Sequence, residues 1–224
     1  MPIEVRQTNT LNKLRVLYPV WMILGIFSII YVPSVILDST DGIATAENIA
    51  KESFLFRLGI VGRLITQILF IIIPYLLYTL LKEVNKGNAV LMMVFAYISI
   101  PITMYIESHK LGLPALLDQP ELILQSLASY NHGLNIAMIF WGLWLLPLAA
   151  LCLESSYFPK FIGIVLMIAG IGYSLGSFSR ILFPEQQVFL QAFEIMTFGE
   201  MVFIFYLLIM GIKKEPQAVI RSLA

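Results

Sequence analysis

Apolar residues dominate the chain in six long runs, which short polar stretches separate. A helix needs about 20 apolar residues to cross the roughly 30 Å hydrocarbon core of a bilayer, and each run has about that length. The pattern therefore predicts an all-α fold, a polytopic transmembrane bundle of six helices that forms a single integral membrane domain over residues 1–224. The predicted helices are 16–37, 56–81, 88–108, 131–153, 160–182 and 190–212.

The polar stretches between the runs are of two kinds. Two of them are tight turns, at 83–88 and at 155–159. Two others are longer, and each contains a short amphipathic pattern, at 45–52 and at 120–128. Such patterns are typical of short helices that lie on the membrane surface or cap a bundle.

Composition and charge support the membrane interpretation. Hydrophobic residues make up 59% of the chain and charged residues 12%, about half the share of an ordinary soluble domain. The 14 basic and 14 acidic residues balance, which argues against a nucleic-acid partner. The basic residues nevertheless cluster on one side of the predicted bundle, and positively charged loops face the cytoplasm. The residues on this side are Arg6, Lys13, Arg15, Lys82, Lys86, Lys160, Lys213, Lys214 and Arg221. We therefore predict that both termini are cytoplasmic.

Metal-ligating residues are scarce. The chain has one cysteine, Cys152, and two histidines, His109 and His132. These cannot form an intrachain disulfide or complete a cysteine-based zinc site. We predict no metal site and no cofactor.

Several charged and polar residues lie near the outer ends of the predicted helices. Counting 1.5 Å per residue from the inner anchor of each helix places four of them about 28–30 Å up, at the outer edge of the core. These are Arg63, Asn135, Arg180 and Glu194, and further out, at the interface, lie Arg57, Glu107, His109 and His132. They are candidates for an outward-facing polar pocket. The structural alternative is that they reach into the headgroups or pair on top of the bundle, as Arg63 and Glu194 could.

Glu200 stands apart from this belt. The same count places it roughly 20 Å up, well inside the hydrocarbon, with Gln67 as the nearest polar match in depth. A carboxyl group there should be protonated or paired, since ionisable residues inside a membrane are costly and often functional. The structural alternative is a protonated side chain bonded to Gln67 or to a backbone carbonyl.

Gly172 and Gly176 form a small-xxx-small spacing in the fifth predicted helix. This spacing lets a neighbouring backbone approach closely. A homodimer through these glycines is possible, and intramolecular helix packing is the alternative.

Three stretches together resemble a known family. They are Glu52-Ser53-Phe54-Leu55-Phe56-Arg57-Leu58-Gly59, the Val84-Asn85-Lys86 turn, and Tyr157-Phe158-Pro159-Lys160-Phe161-Ile162-Gly163-Ile164-Val165 leading to Ala169-Gly170-Ile171-Gly172-Tyr173. The chain resembles, from about Leu14 to Lys213, the bacterial membrane family known as domain of unknown function 4386. The resemblance implies a multi-pass protein of the bacterial inner (cytoplasmic) membrane and points to Arg57, and it implies no activity.

Three functional hypotheses follow from these residues. The first is a binding or transport module whose outward-facing pocket, formed by helices two, three, four and six, holds a lipid headgroup or small amphiphile through Arg57, Arg63 and Arg180. The second is an intramembrane enzyme with Glu200 or Glu194 as general acid or base and His132 assisting. The third is an accessory or structural subunit without a ligand. Whether the protein is an enzyme stays open at this point.

Overall fold

The computed structural model describes residues 3–212, and within them every regular element is helical. Helix α1 spans Ile3–Gly25. A π-helical segment, Ile26–Tyr31, follows it directly and leads into α2, Val32–Ile36. The other helices are α3 (Gly42–Lys51), α4 (Ser53–Leu81), α5 (Lys86–Leu111), α6 (Pro120–Glu154), α7 (Lys160–Leu182), α8 (Gln187–Thr197) and α9 (Gly199–Ile209), with a 3₁₀ turn at Leu113–Ala115. The basic residues Lys213, Lys214 and Arg221, used above to orient the chain, lie outside the described residues.

Six helical segments are long and apolar enough to cross a membrane. They are Gln7–Ile36, Ser53–Leu81, Lys86–Ala115, Pro120–Glu154, Lys160–Leu182 and Gln187–Ile209. They correspond one to one to the six predicted helices, so the prediction of an all-α polytopic bundle is confirmed. The fifth predicted helix, 160–182, has the bounds of α7. The first begins earlier than predicted, because α1 starts at Ile3.

The prediction of a separate surface helix at 120–128 is wrong. These residues are the first turns of α6, a single helix of 35 residues. Ile123, Leu127 and Tyr130 are all buried, and their spacing of four and three residues keeps them on one face. Because no glycine or proline interrupts the segment between 121 and 132, the buried face continues from the connection into the spanning part of the helix.

The last predicted helix, 190–212, is interrupted. The structure divides it into α8 and α9, with the break at Phe198. Gly199 at the start of α9 lies against the backbone carbonyl of Val165 on α7, where a β-carbon would clash. The close approach of the two backbones therefore requires glycine at this position.

The chain divides into two compact units. One, which we call the mid-chain unit, consists of Val16–Ile73 and Tyr97–Met138. The other, the terminal unit, consists of the described residues up to 15, Pro74–Ala96 and residues 139–212.

The mid-chain unit has its own apolar core. Its buried side chains come from α2, α3, α4, the 3₁₀ turn and α6, and include Ile36, Ile49, Phe56, Leu113 and Ile123. The predicted helix at 45–52 is confirmed as α3. It lies against this core, so it caps the unit with one face buried.

The connection between α2 and α3 is ordered by local hydrogen bonds. Asp41 caps α3, its carboxylate accepting hydrogen bonds of 2.9 Å from the backbone N–H groups of Ile43 and Ala44. The side-chain hydroxyl and backbone N–H of Thr40 donate to Asp38, and these bonds lower the pKa of the Asp38 carboxyl.

In the terminal unit, α7 packs against α8 and α9. A β-carbon on Gly172 would meet Met196, and one on Gly176 would meet Phe193 at 3.0 Å. The small residues of α7 thus receive side chains of α8, which is the intramolecular packing described above as an alternative. A homodimer through Gly172 and Gly176 stays a prediction.

Candidate functional site

The mid-chain unit contains a row of buried polar side chains on α5. Ser99, Thr103, Glu107 and Lys110 follow one another at spacings of four, four and three residues, which places them on one face of the helix. All four are buried, and the side chain of Glu107 is 0% exposed. Arg63 on α4 is also buried, at 4% exposure.

Glu107 is the centre of a buried ionic cluster. Its Oε1 lies 3.5 Å from Nε of Arg63, and its Oε2 lies 3.5 Å from Nζ of Lys110. The hydroxyl of Tyr130 on α6 donates a hydrogen bond of 3.1 Å to Oε1 and is also hydrogen-bonded to Arg63. The ammonium of Lys110 lies over the ring of Tyr130, 3.7 Å from its centroid. We call Arg63, Glu107, Lys110 and Tyr130 the Glu107 cluster.

The local sequence explains why α5 and α6 come close enough for this cluster. Gly133 on α6 faces Ile106, and a β-carbon on Gly133 would clash with the Ile106 side chain. Ile106 precedes Glu107, and Gly133 lies one turn after Tyr130. The absence of a side chain at Gly133 therefore lets Tyr130 reach the Glu107 carboxylate.

The charges of the Glu107 cluster do not cancel. With Arg63, Lys110 and Glu107 ionised, two buried cations face one carboxylate, so the cluster carries a net charge of one positive unit. Lys110 lies in the last turn of α5, where the partial negative charge of the helix C-terminus favours a cation. That partial charge offsets only part of the excess, since it amounts to about half an elementary charge.

Lys110 also lines a small cleft in the same unit. The other lining residues are Ser28, Val32, Pro33, Leu37, Phe56, Gly59 and Ile60, so apart from Ser28 and Lys110 the walls are apolar. The cleft has room for about one water molecule. A cation therefore lies at the wall of an otherwise apolar cleft.

A π-helical segment forms part of this cleft. Ser28 belongs to the segment Ile26–Tyr31, and its hydroxyl donates a hydrogen bond of 2.7 Å to the carbonyl of Leu24. π-helical turns are rare and occur frequently at functional sites. The distortion of the first spanning segment thus coincides with the cleft that Lys110 lines.

The structure shows how these charged residues are buried and paired within each unit. Glu107 is fully enclosed by protein, and its depth at the membrane interface stays a prediction. Within the mid-chain unit Arg63 pairs with Glu107, and within the terminal unit Glu194 pairs with Arg180. The suggested pairing of Arg63 with Glu194 stays a prediction. The Arg180–Glu194 pair is short, at 2.8 Å, and its side chains are 26% and 61% exposed.

The remaining candidates are distributed over both units. In the mid-chain unit Gln67 is buried, Asn135 is half-buried, and Arg57 and His132 are exposed. In the terminal unit Glu200 is half-buried and hydrogen-bonded to Tyr173. The structure therefore brings together Arg63 and Glu107 among the candidates of one unit, and Arg180 and Glu194 in the other. Across residues 3–212, no group of three or more histidine, cysteine, aspartate or glutamate side chains is placed to hold a metal ion.

Two members of the Glu107 cluster, Lys110 and Tyr130, were missed by sequence reasoning. Lys110 follows Glu107 by three residues, the helical spacing of an ion pair, and that spacing was an available signal. Tyr130 gave no such signal, because the spanning helix was predicted to begin one residue after it.

Comparison with known proteins places the chain in a family. A family model described as "Domain of unknown function (DUF4386)" matches residues 16–211. The chain belongs to this family. An uncharacterised protein of Archaeoglobus fulgidus (strain ATCC 49558 / DSM 4304 / JCM 9628 / NBRC 100126 / VC-16) is 30% identical over 157 residues, which cover 69% of this chain and 85% of the archaeal protein. No solved structure matches.

The match confirms the family indicated by the sequence motifs. It supports a multi-pass helical membrane protein and assigns no activity. The archaeal relative means that a bacterial inner membrane does not follow from the family alone.

Proposed function

We propose that the protein is a binding or transport module for an amphiphile with a small anionic group, and that this group occupies the cleft beside Lys110. The observation that carries the proposal is the position of Lys110, which belongs both to a buried cluster with excess positive charge and to the wall of an apolar cleft. Buried charges in proteins are usually paired. An anionic ligand would add a second counter-charge beside the ammonium of Lys110.

The size and lining of the cleft favour a particular chemistry. Room for about one water molecule suits a carboxylate better than a large headgroup. The ammonium of Lys110 has three N–H donors, and its nitrogen lies 3.5 Å from Oε2 of Glu107. Exposed apolar side chains on α2 and α4, among them Val35 and Leu58, extend the apolar surface beside the cleft. An acyl chain could lie along this surface while its carboxylate contacts Lys110.

The test is native mass spectrometry of the protein extracted gently from its own membrane. We expect a discrete bound mass in the wild type and its loss in Lys110→Met, which keeps the unbranched stem and removes the charge. Lys82→Met is the matched control, because Lys82 also lies near a tyrosine ring, 5.8 Å from the centroid of Tyr78, but in the terminal unit. A long-chain fatty acid added to the protein should bind, and the corresponding fatty alcohol should not.

Two results would count against this proposal. If the wild-type protein shows no bound mass after incubation with the fatty acid, it has no such site. A bound mass that survives Lys110→Met, or that Lys82→Met abolishes equally, is held by something other than the Lys110 ammonium.

We also propose the orientation and location of the protein. The distribution of basic residues supports cytoplasmic termini and a site near the outer side of a cytoplasmic membrane, the bacterial inner membrane in a bacterial host.

The one cysteine, Cys152, is buried and gives little background for labelling. A membrane-impermeant maleimide added to intact cells should therefore label Asp118→Cys and spare Glu83→Cys. The reverse labelling would refute the orientation.

The enzyme and accessory-subunit hypotheses stay predictions. Glu194 is exposed and paired with Arg180, and His132 is exposed. Neither arrangement lends specific support to acid–base chemistry.

A further inference from the structure

A second buried polar group lies in the terminal unit, around Glu200. This residue is in the first turn of α9, directly after the break at Phe198, and near the middle of the spanning segment Gln187–Ile209. The protein covers most of this residue and leaves a minor part exposed. In a membrane the uncovered part faces lipid rather than water, so Glu200 is largely removed from solvent.

A chain of hydroxyl groups leads away from the Glu200 carboxyl. Glu200 is hydrogen-bonded to the hydroxyl of Tyr173 on α7, and Tyr173 is also hydrogen-bonded to Thr197. The hydroxyl of Thr197 donates a bond of 2.7 Å to the backbone carbonyl of Glu194. The ring of Tyr173 is held edge-on by Trp141, with the planes at 85° and the centroids 6.1 Å apart.

The charged groups on the elements packed around α9 are engaged elsewhere. Arg180 of α7 pairs with Glu194 of α8 at 2.8 Å, and Arg15 of α1 donates to the carbonyl of Ile209 at 3.3 Å. Among the ion pairs of the described residues, none includes Glu200. The other titratable groups on α7, α8 and α9 are Lys160, which donates to the carbonyl of Leu153, and Tyr173 and Tyr206.

From this arrangement we infer that Glu200 and Tyr173 form a proton-binding site inside the membrane. A carboxylate that has lost its water and gained no cation is unstable in apolar surroundings, so it binds a proton instead. The proton comes from water and forms an O–H bond on the Glu200 carboxyl. The bond that breaks is an O–H bond of the donor hydronium ion, which leaves as a water molecule, and the net charge of the terminal unit rises by one.

The hydroxyl chain allows both protonation states to be hydrogen-bonded. When Glu200 is ionised, the O–H of Tyr173 donates to the carboxylate. When Glu200 is protonated, its own O–H can donate to Tyr173, whose hydrogen can turn to the oxygen of Thr197. The same side chains therefore accommodate uptake and release of the proton without leaving a buried donor unpaired.

The site can be tested by infrared difference spectroscopy of the full chain in lipid, recorded between mildly acidic and mildly alkaline buffer. We expect a carbonyl-stretch band of a protonated carboxylic acid that is present in the wild type and absent in Glu200→Gln. Glu194→Gln is the matched control and should leave the band unchanged, because Glu194 is exposed and paired with Arg180. Tyr173→Phe should keep the band and shift its frequency, since it removes the hydrogen bond but not the carboxyl group.

The experiment also has outcomes that overturn the inference. A band that persists in Glu200→Gln belongs to another carboxyl group. The absence of any such band in the wild type shows that Glu200 does not change protonation. If Glu200→Gln does not fold, an unshifted band in Tyr173→Phe overturns the site on its own.

Discussion

Removing the charge of Glu107 tests the interpretation of the buried cluster most directly. Glu107→Gln keeps the size of the side chain and its contact with Tyr130, but it removes the carboxylate that Arg63 and Lys110 share. We expect this variant to be much less stable than the wild type.

The expected magnitude follows from the distances and the burial. Opposite unit charges 3.5 Å apart attract by about 5 kcal/mol at an effective dielectric constant of ~20, and Glu107 makes two such contacts. Part of this gain is offset in the wild type by the cost of desolvating the carboxylate, which is several kcal/mol. Breaking a buried ion pair by removing one partner costs about 3–5 kcal/mol, and we expect a loss of this size.

The measurement is the unfolding of wild type and variant in the same detergent micelle, followed by tryptophan fluorescence. For a chain of this length each kcal/mol corresponds to about 2–4 °C in Tm, so Glu107→Gln should lower Tm by roughly 6–20 °C. Glu194→Gln is the matched control. Its ion pair with Arg180 is shorter, at 2.8 Å, but largely exposed, and exposed pairs contribute only about 0–1 kcal/mol.

Comparing the losses of stability in Glu107→Gln and Glu194→Gln tests whether burial determines how much an ion pair contributes. If the longer buried contacts matter more than the short exposed one, Glu107→Gln is the more damaging change. Equal losses in both variants, or a loss below about 1 kcal/mol in Glu107→Gln, would refute the reasoning from burial.

Two further predictions concern the same unfolding measurement. Lys110→Met leaves one cation facing one carboxylate in the cluster. We therefore expect the free energy of unfolding to change by less than about 1 kcal/mol or to increase. A loss as large as that of Glu107→Gln would contradict the charge assignment. Gly199→Ala places a β-carbon against the carbonyl of Val165 and should lower the free energy of unfolding by about 1–3 kcal/mol. The control is Gly112→Ala, because the nearest neighbours of its β-carbon would lie 3.8 Å away. It should change stability by less than about 0.5 kcal/mol. Similar losses in the two glycine variants would argue against the close approach of α7 and α9.

The spanning helices were predictable from local sequence because hydropathy is a local property. All six predicted helices are present, and the motifs around Arg57 and Tyr157 led to the family that the family model confirms. The errors occurred where tertiary packing extends or interrupts a helix. The first turns of α6 pack their apolar face on the mid-chain core, and α9 starts at a glycine that contacts α7.

The candidate site was predicted only in part. Arg63 and Glu107 were recognised as residue types that are costly near a membrane, but their depth was estimated from positions along single helices. An estimate from single helices gives a depth but not a burial, and the surrounding helices bury Glu107 completely. Lys110 could have been recognised from its helical spacing to Glu107, whereas Tyr130 became visible only when α5 and α6 were placed side by side.

The amino-acid sequence by itself determined that this chain crosses a membrane with six helices, because the free energy of placing a residue in lipid depends on that residue and its near neighbours along the chain. It also determined the helix face on which each polar side chain lies, through the 3.6-residue period. Only the tertiary structure decided which faces meet within each unit: Arg63 with Glu107, Arg180 with Glu194, and Glu200 with Tyr173. The physical reason is that a charge inside a protein is stabilised by partners from other helices, and helical periodicity does not specify which helices are neighbours.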